Sequence, residues 1–409
     1  MNFEQRLQAY AELLIKTGVS LREGQDLVIR SPLEGRYLVV ACARVAYEVG
    51  AADVHVIWSD DDLILLKYQC APDEVLNTVP DFEQDKYRHY LERGAAFLSF
   101  TGSDPDLLKQ IDPKKLQKAS GSRSKALRFY SEAMMKDENP WTVAGIATRA
   151  WAAKVYPDLE ADEAVKKLWE ALLDMSRVSE NPLADWEEHM ETVDGRAKKL
   201  TEASYASLHY TNSLGTDLTI TLPEGHIWAG GGSHLPDGRY FVANIPTEEV
   251  FTLPHRKGVD GIVYASMPLA YNGNIIDGFW LRFEEGKVVD FDAEKGKGVL
   301  AHLLETDEGA KHLGEVALVP DDSPISNRNQ LFYNTLYDEN ASCHLALGKA
   351  YPTCLKDSGD LSKEELLERG ANDSLTHVDF MVGTPDLSIT ARTVDGKEVP
   401  IFVDGNWAK

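Results

Sequence analysis

The sequence contains little cysteine, and none of its cysteines forms a C-x-x-C pair. There are four, at Cys42, Cys70, Cys343 and Cys354. So few unpaired thiols fit a reducing compartment better than a disulfide framework. The first residues also lack the basic segment and apolar stretch of a secretory signal. We therefore expect a cytoplasmic protein.

Long hydrophobic runs and an excess of basic residues are also missing. No apolar run approaches the ~20 residues that a membrane-spanning helix needs, so we expect no membrane partner. Lys and Arg number 42 against 66 Asp and Glu, which gives a net charge of −24. This deficit argues against nucleic acid as a partner, although acidity by itself can simply serve solubility. A metal ion is easier to hold on such a chain.

Two common catalytic motifs are absent as well. There is no H-E-x-x-H sequence, which disfavours a single-zinc protease built on one helix. The glycine run at residues 229–233 lacks the Lys-Ser/Thr that completes a phosphate-binding loop, so nucleotide binding is not expected.

The first half of the chain alternates helical and strand-like patterns. At 409 residues the chain is long enough for two domains. Predicted helices at 3–14, 37–49 and 82–93 precede predicted strands at 25–30, 52–58 and 95–100, respectively. This alternation indicates an α/β domain with a mostly parallel sheet, which we assign to residues 1–195.

The second half has a different pattern. After two polar helices at 158–176 and 183–203, short alternating strands follow one another at 206–210, 217–221, 239–242 and 261–264, separated by Gly, Pro and Asp turns. We predict a β-rich α+β catalytic domain over residues 196–409, with the boundary between 190 and 205.

A histidine and an aspartate alternate near the C-terminus. If residues 377–379 form a strand, its period of two points His377 and Asp379 to one face and Val378 to the core. Imidazole and carboxylate both bind zinc and its first-row neighbours, so one strand would supply two ligands.

Further acidic residues lie upstream. Glu248 and Glu249 follow a proline, and an extended segment lets only one of them face a given site; alone, such a pair is more typical of a solvated surface. Glu315 lies at the mouth of an apolar strand, where it could bridge two metals or simply end the strand in solvent.

Residues 337–348 combine an acid, an amide and an imidazole before a glycine. A lone histidine such as His344 is more often structural than a ligand, and Cys343 should face away from it as a buried thiol. Glu339 adds a carboxylate close by. Each element is weak alone, but glutamates, histidines and an aspartate in one β-rich half are the mixture that a two-metal hydrolase uses.

Three segments carry a resemblance to a known family. Residues 244–251 (NIPTEEVF), 337–348 (YDENASCHLALG) and 377–383 (HVDFMVG) resemble, in order and spacing, the thermophilic-type metalloaminopeptidases. The likeness spans essentially the whole chain. It implies removal of N-terminal amino acids from peptides with a free N-terminus, two divalent metal ions (Zn, Co, Mn or Mg) and a homodimer.

The resemblance also implies functional residues. The implied metal ligands are Glu249, Glu315, Glu339, His344, His377 and Asp379. Glu315 is then expected to bridge the metals and to help transfer the proton of the attacking water. Tyr351 is expected to donate a hydrogen bond to the tetrahedral oxyanion or the leaving group.

Two other classes of protein remain open at this point. Another two-metal hydrolase, such as a phosphoesterase, would use the same ligands, because metal pairs also clamp phosphoryl oxygens. A non-catalytic metal-binding assembly protein would use the carboxylates only to tie strands together, although structural zinc sites are usually richer in cysteine.

Overall fold

The computed structural model describes residues 1–359 and 361–409, which form two compact units. The first unit contains Met1–Thr192, Gly231–Thr247 and Phe332–Leu336. The second contains Val193–Gly230, Glu248–Leu331 and Tyr337–Lys409. The division into domains 1–195 and 196–409 stays a prediction, because the first unit also includes two later segments.

The first unit is built on a parallel sheet with the strand order β2-β1-β3-β4-β9. Its strands are β1 Asp26–Pro32, β2 Asp53–Ser59, β3 Ala96–Thr101, β4 Trp141–Gly145 and β9 Asn244–Ile245. The later segment of this unit also contains an antiparallel pair, β7 Gly232–His234 and β8 Tyr240–Val242.

The helices of the N-terminal region connect these strands. They are α1 Phe3–Leu13, α2 Arg36–Val49, α3 Asp61–Cys70, α4 Asp73–Leu76, α5 Asp81–Glu92, α6 Pro113–Ala126, α7 Arg128–Met135, α8 Arg149–Val155, α9 Ala161–Met175 and α10 Pro182–Ala203.

Local sequence explains the limits of several elements. The Asn2 side chain and Gln5 form a reciprocal capping box at the start of α1. Helix α2 ends at Gly50, whose φ of 97° favours glycine. In β1, Leu27, Val28 and Ile29 are all buried, as expected for a strand covered on both faces. The predicted α/β fold with a parallel sheet is confirmed.

The second unit is rich in antiparallel sheet, as predicted. A nine-stranded sheet has the order β12-β13-β11-β6-β5-β18-β19-β20, with β14 paired to β13. Its strands are β5 Ser207–Thr211, β6 Asp217–Thr221, β11 Val259–Tyr264, β12 Leu269–Tyr271, β13 Asn274–Glu284, β14 Lys287–Lys295, β18 Ser388–Arg392, β19 Glu398–Val403 and β20 Asn406–Trp407.

A smaller four-stranded sheet carries most of the candidate site residues. Its order is β10-β15-β16-β17, all antiparallel. The strands are β10 Val250–Thr252, β15 Leu313–Leu318, β16 His344–Gly348 and β17 His377–Met381. The remaining helices are α11 Lys297–Leu304, α12 Thr335–Glu339 and α13 Lys363–Glu368.

No helix within residues 1–359 and 361–409 is both long and apolar enough to span a membrane.

Candidate metal centre

The four-stranded sheet has two chemically different faces. One face is apolar and buried, with Val316, Leu345 and Phe380 among its side chains. Because side chains alternate along a strand, the residues between these project from the other face. They include Glu315 on β15, His344 and Ala346 on β16, and His377 and Asp379 on β17.

The strand register brings these residues side by side. Ala346 lies opposite Glu315 on one neighbouring strand and opposite Asp379 on the other. The pairing of β15 with β16 is irregular immediately before Glu315, as is common beside functional sites. The predicted strand at 377–379 is confirmed, and Val378 is buried in the opposite direction.

Glu315 lies between the two histidines. Its Oε1 is 3.6 Å from His344 Nε2, and its Oε2 is 3.4 Å from His377 Nε2. His344 Nε2 is also 3.0 Å from Glu249 Oε2, while His377 Nε2 is 3.3 Å from Asp379 Oδ1. Each oxygen of one carboxylate therefore faces a different histidine–carboxylate pair.

These five side chains form two groups whose ligand atoms lie close enough together to hold a metal ion. Glu249, Glu315 and His344 form one group, and Glu315, His377 and Asp379 form the other; within each group, ligand atoms lie within 4.8 Å of one another. Glu315 belongs to both. A carboxylate can offer one oxygen to each of two cations, so the arrangement suits a metal pair.

Backbone carbonyls orient both histidines. His344 Nδ1 lies 2.9 Å from the Glu339 carbonyl oxygen, and His377 Nδ1 lies 2.7 Å from that of Lys349. A carbonyl can only accept, so each Nδ1 carries the proton and each Nε2 is left to bind. Metal-ligating histidines are commonly oriented in this way.

Burial excludes the solvent-exposed interpretations of the acidic residues. Glu248 and Glu249 are each only 6% exposed, so the view of them as a solvated surface pair is wrong. Glu315 is also buried and is the third residue of β15 rather than a residue at the mouth of the strand. A buried carboxylate needs a partner charge or hydrogen bonds.

Glu248 and Glu249 have different surroundings. Glu249 contacts His344, as described above. The backbone N–H of Glu248 donates to Asn340 Oδ1 at 2.8 Å, and its carboxylate interacts electrostatically with Arg196. Glu249 therefore has the position that suits a ligand, a distinction that local sequence could not make.

Glu339 ends α12, is buried and lies outside both ligand groups. Burial raises the pKa of its carboxyl well above its usual value, and the charges of Asp379 and Glu249 raise it further. The charge of its carboxylate therefore interacts with those of Asp379 and Glu249.

The pKa values of Glu249 and Asp379 shift in opposite directions. Burial raises the pKa of Glu249, although His344 partly offsets the rise. Burial would raise the pKa of Asp379, but the neighbouring His377 outweighs it and lowers that pKa.

Both histidines respond to the same charges. Burial would lower the pKa of His344, but hydrogen bonds with Glu249 and Glu315 raise it well above its usual value. For His377, the charge of Asp379 outweighs burial in the same way and raises the pKa. Metal ligands must be deprotonated, so a bound cation would displace any proton from the Nε2 atoms of these histidines.

The residues present fit divalent metal ions. Oδ1 of Asp379 is buried, and among residues 1–359 and 361–409 no donor makes a hydrogen bond of normal geometry with it. Carboxylate and imidazole donors together suit zinc, cobalt and manganese. Cys343 does not join them: its thiol donates to the Val319 carbonyl, and burial raises its pKa to about 12. It is the buried thiol that the sequence predicted.

Tyr351 lies beside one of the candidate ligands, His377. Its ring packs edge-on against His377, with centroids 5.3 Å apart, and against Phe251 at 5.6 Å. Burial raises the pKa of its hydroxyl well above the usual value, and the charge of Glu315 raises it further. The hydroxyl therefore keeps its proton and can act as a donor.

The glycine run at residues 229–233 serves packing. A Cβ on Gly231 would lie 2.1 Å from Thr247 Cγ2, and one on Gly232 would lie 1.9 Å from the Tyr240 hydroxyl oxygen. The close approach of these side chains explains the glycines without a phosphate.

Sequence reasoning missed two residues of this site. Ala346 leaves room between Glu315 and Asp379, and its position two residues after His344 on a strand could have indicated the shared face. Asn340 is completely buried beside Glu339 and holds the Glu248 backbone. Its only sequence signal was its place between an acid and a histidine.

The chain is similar to known metalloproteases along nearly its whole length. Residues 3–407 match the family model described as thermophilic metalloprotease (M29). Aminopeptidase 2 of Geobacillus stearothermophilus is 49% identical, covering 99% of this chain and 98% of that protein. Aminopeptidase AmpS of Bacillus subtilis (strain 168) is 48% identical, covering 100% and 99%, respectively.

A solved structure is also similar. Wild-type AmpT from Thermus thermophilus superimposes with a TM-score of 0.92 at 38% sequence identity and covers 100% of both chains. The fold and the predicted resemblance are therefore confirmed. The chain belongs to the thermophilic metalloprotease family M29.

Proposed function

We propose that this chain is an aminopeptidase that removes N-terminal amino acids from peptides with two divalent metal ions, Zn, Co, Mn or Mg. The family is one of metalloproteases, and the relatives described above are named aminopeptidases. The observation that carries the two-metal part is the position of Glu315, whose two oxygens face His344 and His377.

In this proposal six side chains hold the ions. Glu249 and His344 would hold one ion, His377 and Asp379 would hold the other, and Glu315 would be shared by the two. Glu339 is a further ligand, which its charge interactions with Asp379 and Glu249 support. The four carboxylates balance the charge of two divalent ions.

The bound ions would supply a water of lowered pKa and a polarised scissile carbonyl. Glu315, whose oxygens border both halves of the site, helps to transfer the proton of the attacking water. Tyr351 donates its hydroxyl hydrogen bond to the oxygen on which negative charge develops. Such a donor acts mainly in the transition state, where it is worth most.

The proposed exopeptidase action requires the site to recognise the free α-amine of a peptide. In this proposal an acidic residue of the site or a bound metal ion holds that amine. An internal peptide segment has no such amine, so it lacks this contact. Specificity for free N-termini follows from this difference.

Metal removal and blocked substrates test the function. A chelator should abolish hydrolysis of an aminoacyl-anilide, and Co²⁺, Zn²⁺ or Mn²⁺ should restore it. An N-acetylated peptide should resist cleavage. Activity that survives thorough metal removal, equal cleavage of blocked and free peptides, or preference for a phosphate ester would each refute the assignment.

A cytoplasmic homodimer is also part of the proposal. Helix α3 supports association, since none of its ten residues is buried and it exposes Leu63 and Leu66. Apolar surface of this kind is typical of interfaces. Light scattering on the purified protein should give twice the chain mass of 45.5 kDa; a monomer at assay concentration would contradict this part.

A further inference from the structure

We infer that Asn340 is a positioning residue of the metal centre, which holds the segments carrying Glu249 and Glu339 in register for metal binding. The inference rests on the proposed two-metal function. Asn340 is completely buried, and its side chain bonds to the Glu248 backbone and to the Glu339 side chain.

The orientation of the Asn340 amide follows from its partners. The backbone N–H of Glu248 donates at 2.8 Å, so the atom that receives this bond must be the amide oxygen. The amide nitrogen then faces Glu339 Oε1 at 3.4 Å, where it can donate. One side chain thus meets the donor and the acceptor that these two segments present.

The first of these bonds fixes Glu249. Glu248 and Glu249 lie between Thr247 and the start of β10, outside any regular strand. Neighbouring strands therefore do not set the backbone there. The bond to Asn340 holds the peptide N–H one residue before Glu249, whose carboxylate reaches His344 Nε2 at 3.0 Å.

The second bond acts on the segment that carries Glu339 and His344. Glu339 ends α12, and its carbonyl oxygen accepts from His344 Nδ1. Asn340 lies in the turn that joins these two residues, and the N–H of Ser342 closes the turn on the Glu339 carbonyl oxygen at 3.2 Å. A shift of Asn340 would therefore move Glu339, His344 and Glu249 together.

Only an uncharged amide satisfies both neighbours. A carboxylate at position 340 would repel Glu339, and an alkyl side chain would leave the buried Glu248 N–H without its acceptor. Groups that orient metal ligands commonly affect metal affinity by about 10–100-fold when they are removed. We expect an effect of this size from Asn340.

The test compares Asn340→Ala and Asn340→Ser with Asn139→Ala and Asn139→Ser. Asn139 is the matched control, because it is also a buried asparagine but lies in the first unit. Its amide donates to the Ala95 carbonyl oxygen at 3.0 Å. Zn²⁺ affinity is measured on metal-free protein by competition with a chelator. The rise in melting temperature on adding Zn²⁺ is measured in parallel.

Asn340→Ala should weaken Zn²⁺ binding by at least about tenfold and reduce the metal-induced rise in melting temperature. Asn340→Ser should weaken Zn²⁺ binding less than Asn340→Ala does, because the serine hydroxyl can still accept a hydrogen bond from a backbone N–H. The Asn139 variants should lose the same amount of stability with and without Zn²⁺. Their Zn²⁺ affinity and the rise in melting temperature on adding Zn²⁺ should therefore be unchanged.

The possible failures are distinguishable. If the natural protein binds no Zn²⁺, the proposed function fails. If the natural protein binds Zn²⁺ and Asn340→Ala binds it equally tightly, only the role of Asn340 is refuted. If both Asn340 variants fail to fold even with Zn²⁺ present, the residue belongs to the fold rather than to the metal centre, which also overturns the inference.

Discussion

His377 and Asp379 project from the same face of one strand, with His377 Nε2 3.3 Å from Asp379 Oδ1. Because both residues belong to one short strand, local structure alone places this histidine and this carboxylate, both candidate ligands, beside each other. Glu315 on another strand then completes the group. The group therefore depends both on the local structure of β17 and on the pairing of distant strands.

Replacing the shared carboxylate should abolish turnover. Glu315→Gln keeps the size of the side chain but removes its charge and one oxygen. Metals contribute several kcal/mol of charge stabilisation, so we expect kcat to fall by roughly 1,000-fold. Zn²⁺ equivalents bound per chain should also fall. Steady-state assays and metal analysis check both.

The control for Glu315→Gln is Glu398→Gln, which changes an exposed carboxylate on β19. It should leave kcat and the bound metal unchanged. A Glu315→Gln protein with a near-normal rate would remove this residue from the chemistry.

The hydroxyl of Tyr351 should matter for the rate rather than for metal binding. Tyr351→Phe retains the ring contacts with His377 and Phe251 but loses the donor. Loss of one oxyanion donor typically costs about 100-fold in kcat, and we expect that loss here with unchanged metal content. Tyr264→Phe, on β11, is the matched control.

Stopped-flow or steady-state rates on an aminoacyl-anilide provide the measurement for Tyr351. An unchanged kcat in Tyr351→Phe would show that the hydroxyl does not contact the reacting oxygen.

The small side chain of Ala346 should be required for metal binding. Ala346 lies directly opposite Glu315 and Asp379, so a valine there would fill the space between their carboxylates. Overpacking a buried position typically costs about 1–3 kcal/mol of stability. Ala391→Val, at a buried position of β18, should cost a similar amount.

Only Ala346→Val should also lower Zn²⁺ affinity, measured by isothermal titration. If both variants bind Zn²⁺ as the natural protein does, then Ala346 does not border the metals.

Asp137 should make the stability of the first unit depend on pH. Burial raises its pKa from 3.8 to about 6, although hydrogen bonds with Ser233 and Trp141 oppose the rise. The folded protein therefore binds this proton more tightly than the unfolded chain does. The protonated Asp137 side chain therefore contributes its full share to the free energy of unfolding below about pH 4. This contribution is lost as pH rises through 6.

The variant Asp137→Asn keeps a neutral side chain at every pH. Between pH 4 and pH 7 its stability in urea should rise relative to that of the natural protein. The difference in the free energy of unfolding should grow to at most about 3 kcal/mol. Asp158→Asn, at an exposed position, is the control. A constant difference across this pH range would contradict the raised pKa.

Sequence periodicity predicted the elements but not how they meet. Alternating apolar residues located β1, β2 and β3, and the spacing of His377 and Asp379 gave their common face. The order β10-β15-β16-β17 depends on pairings between segments that are far apart in the sequence, such as Thr252 with Val316, which are 64 positions apart. Short-range patterns do not contain that information.

The choice between Glu248 and Glu249 shows the same limit. Both are acidic and adjacent, and local physics makes them equivalent. Asn340 and Arg196, which distinguish them in the structure, lie 92 and 52 positions away in the sequence, respectively. The family resemblance selected Glu249 because it compares whole motifs rather than single residues.

Anomalous scattering from crystals of the Zn²⁺-loaded protein tests the central claim most directly. We predict two peaks per chain on the polar face of the four-stranded sheet, with one oxygen of Glu315 ligating each ion. His344 should bind one ion and His377 the other. A single peak, or peaks that Glu315 does not touch, would contradict the two-metal account.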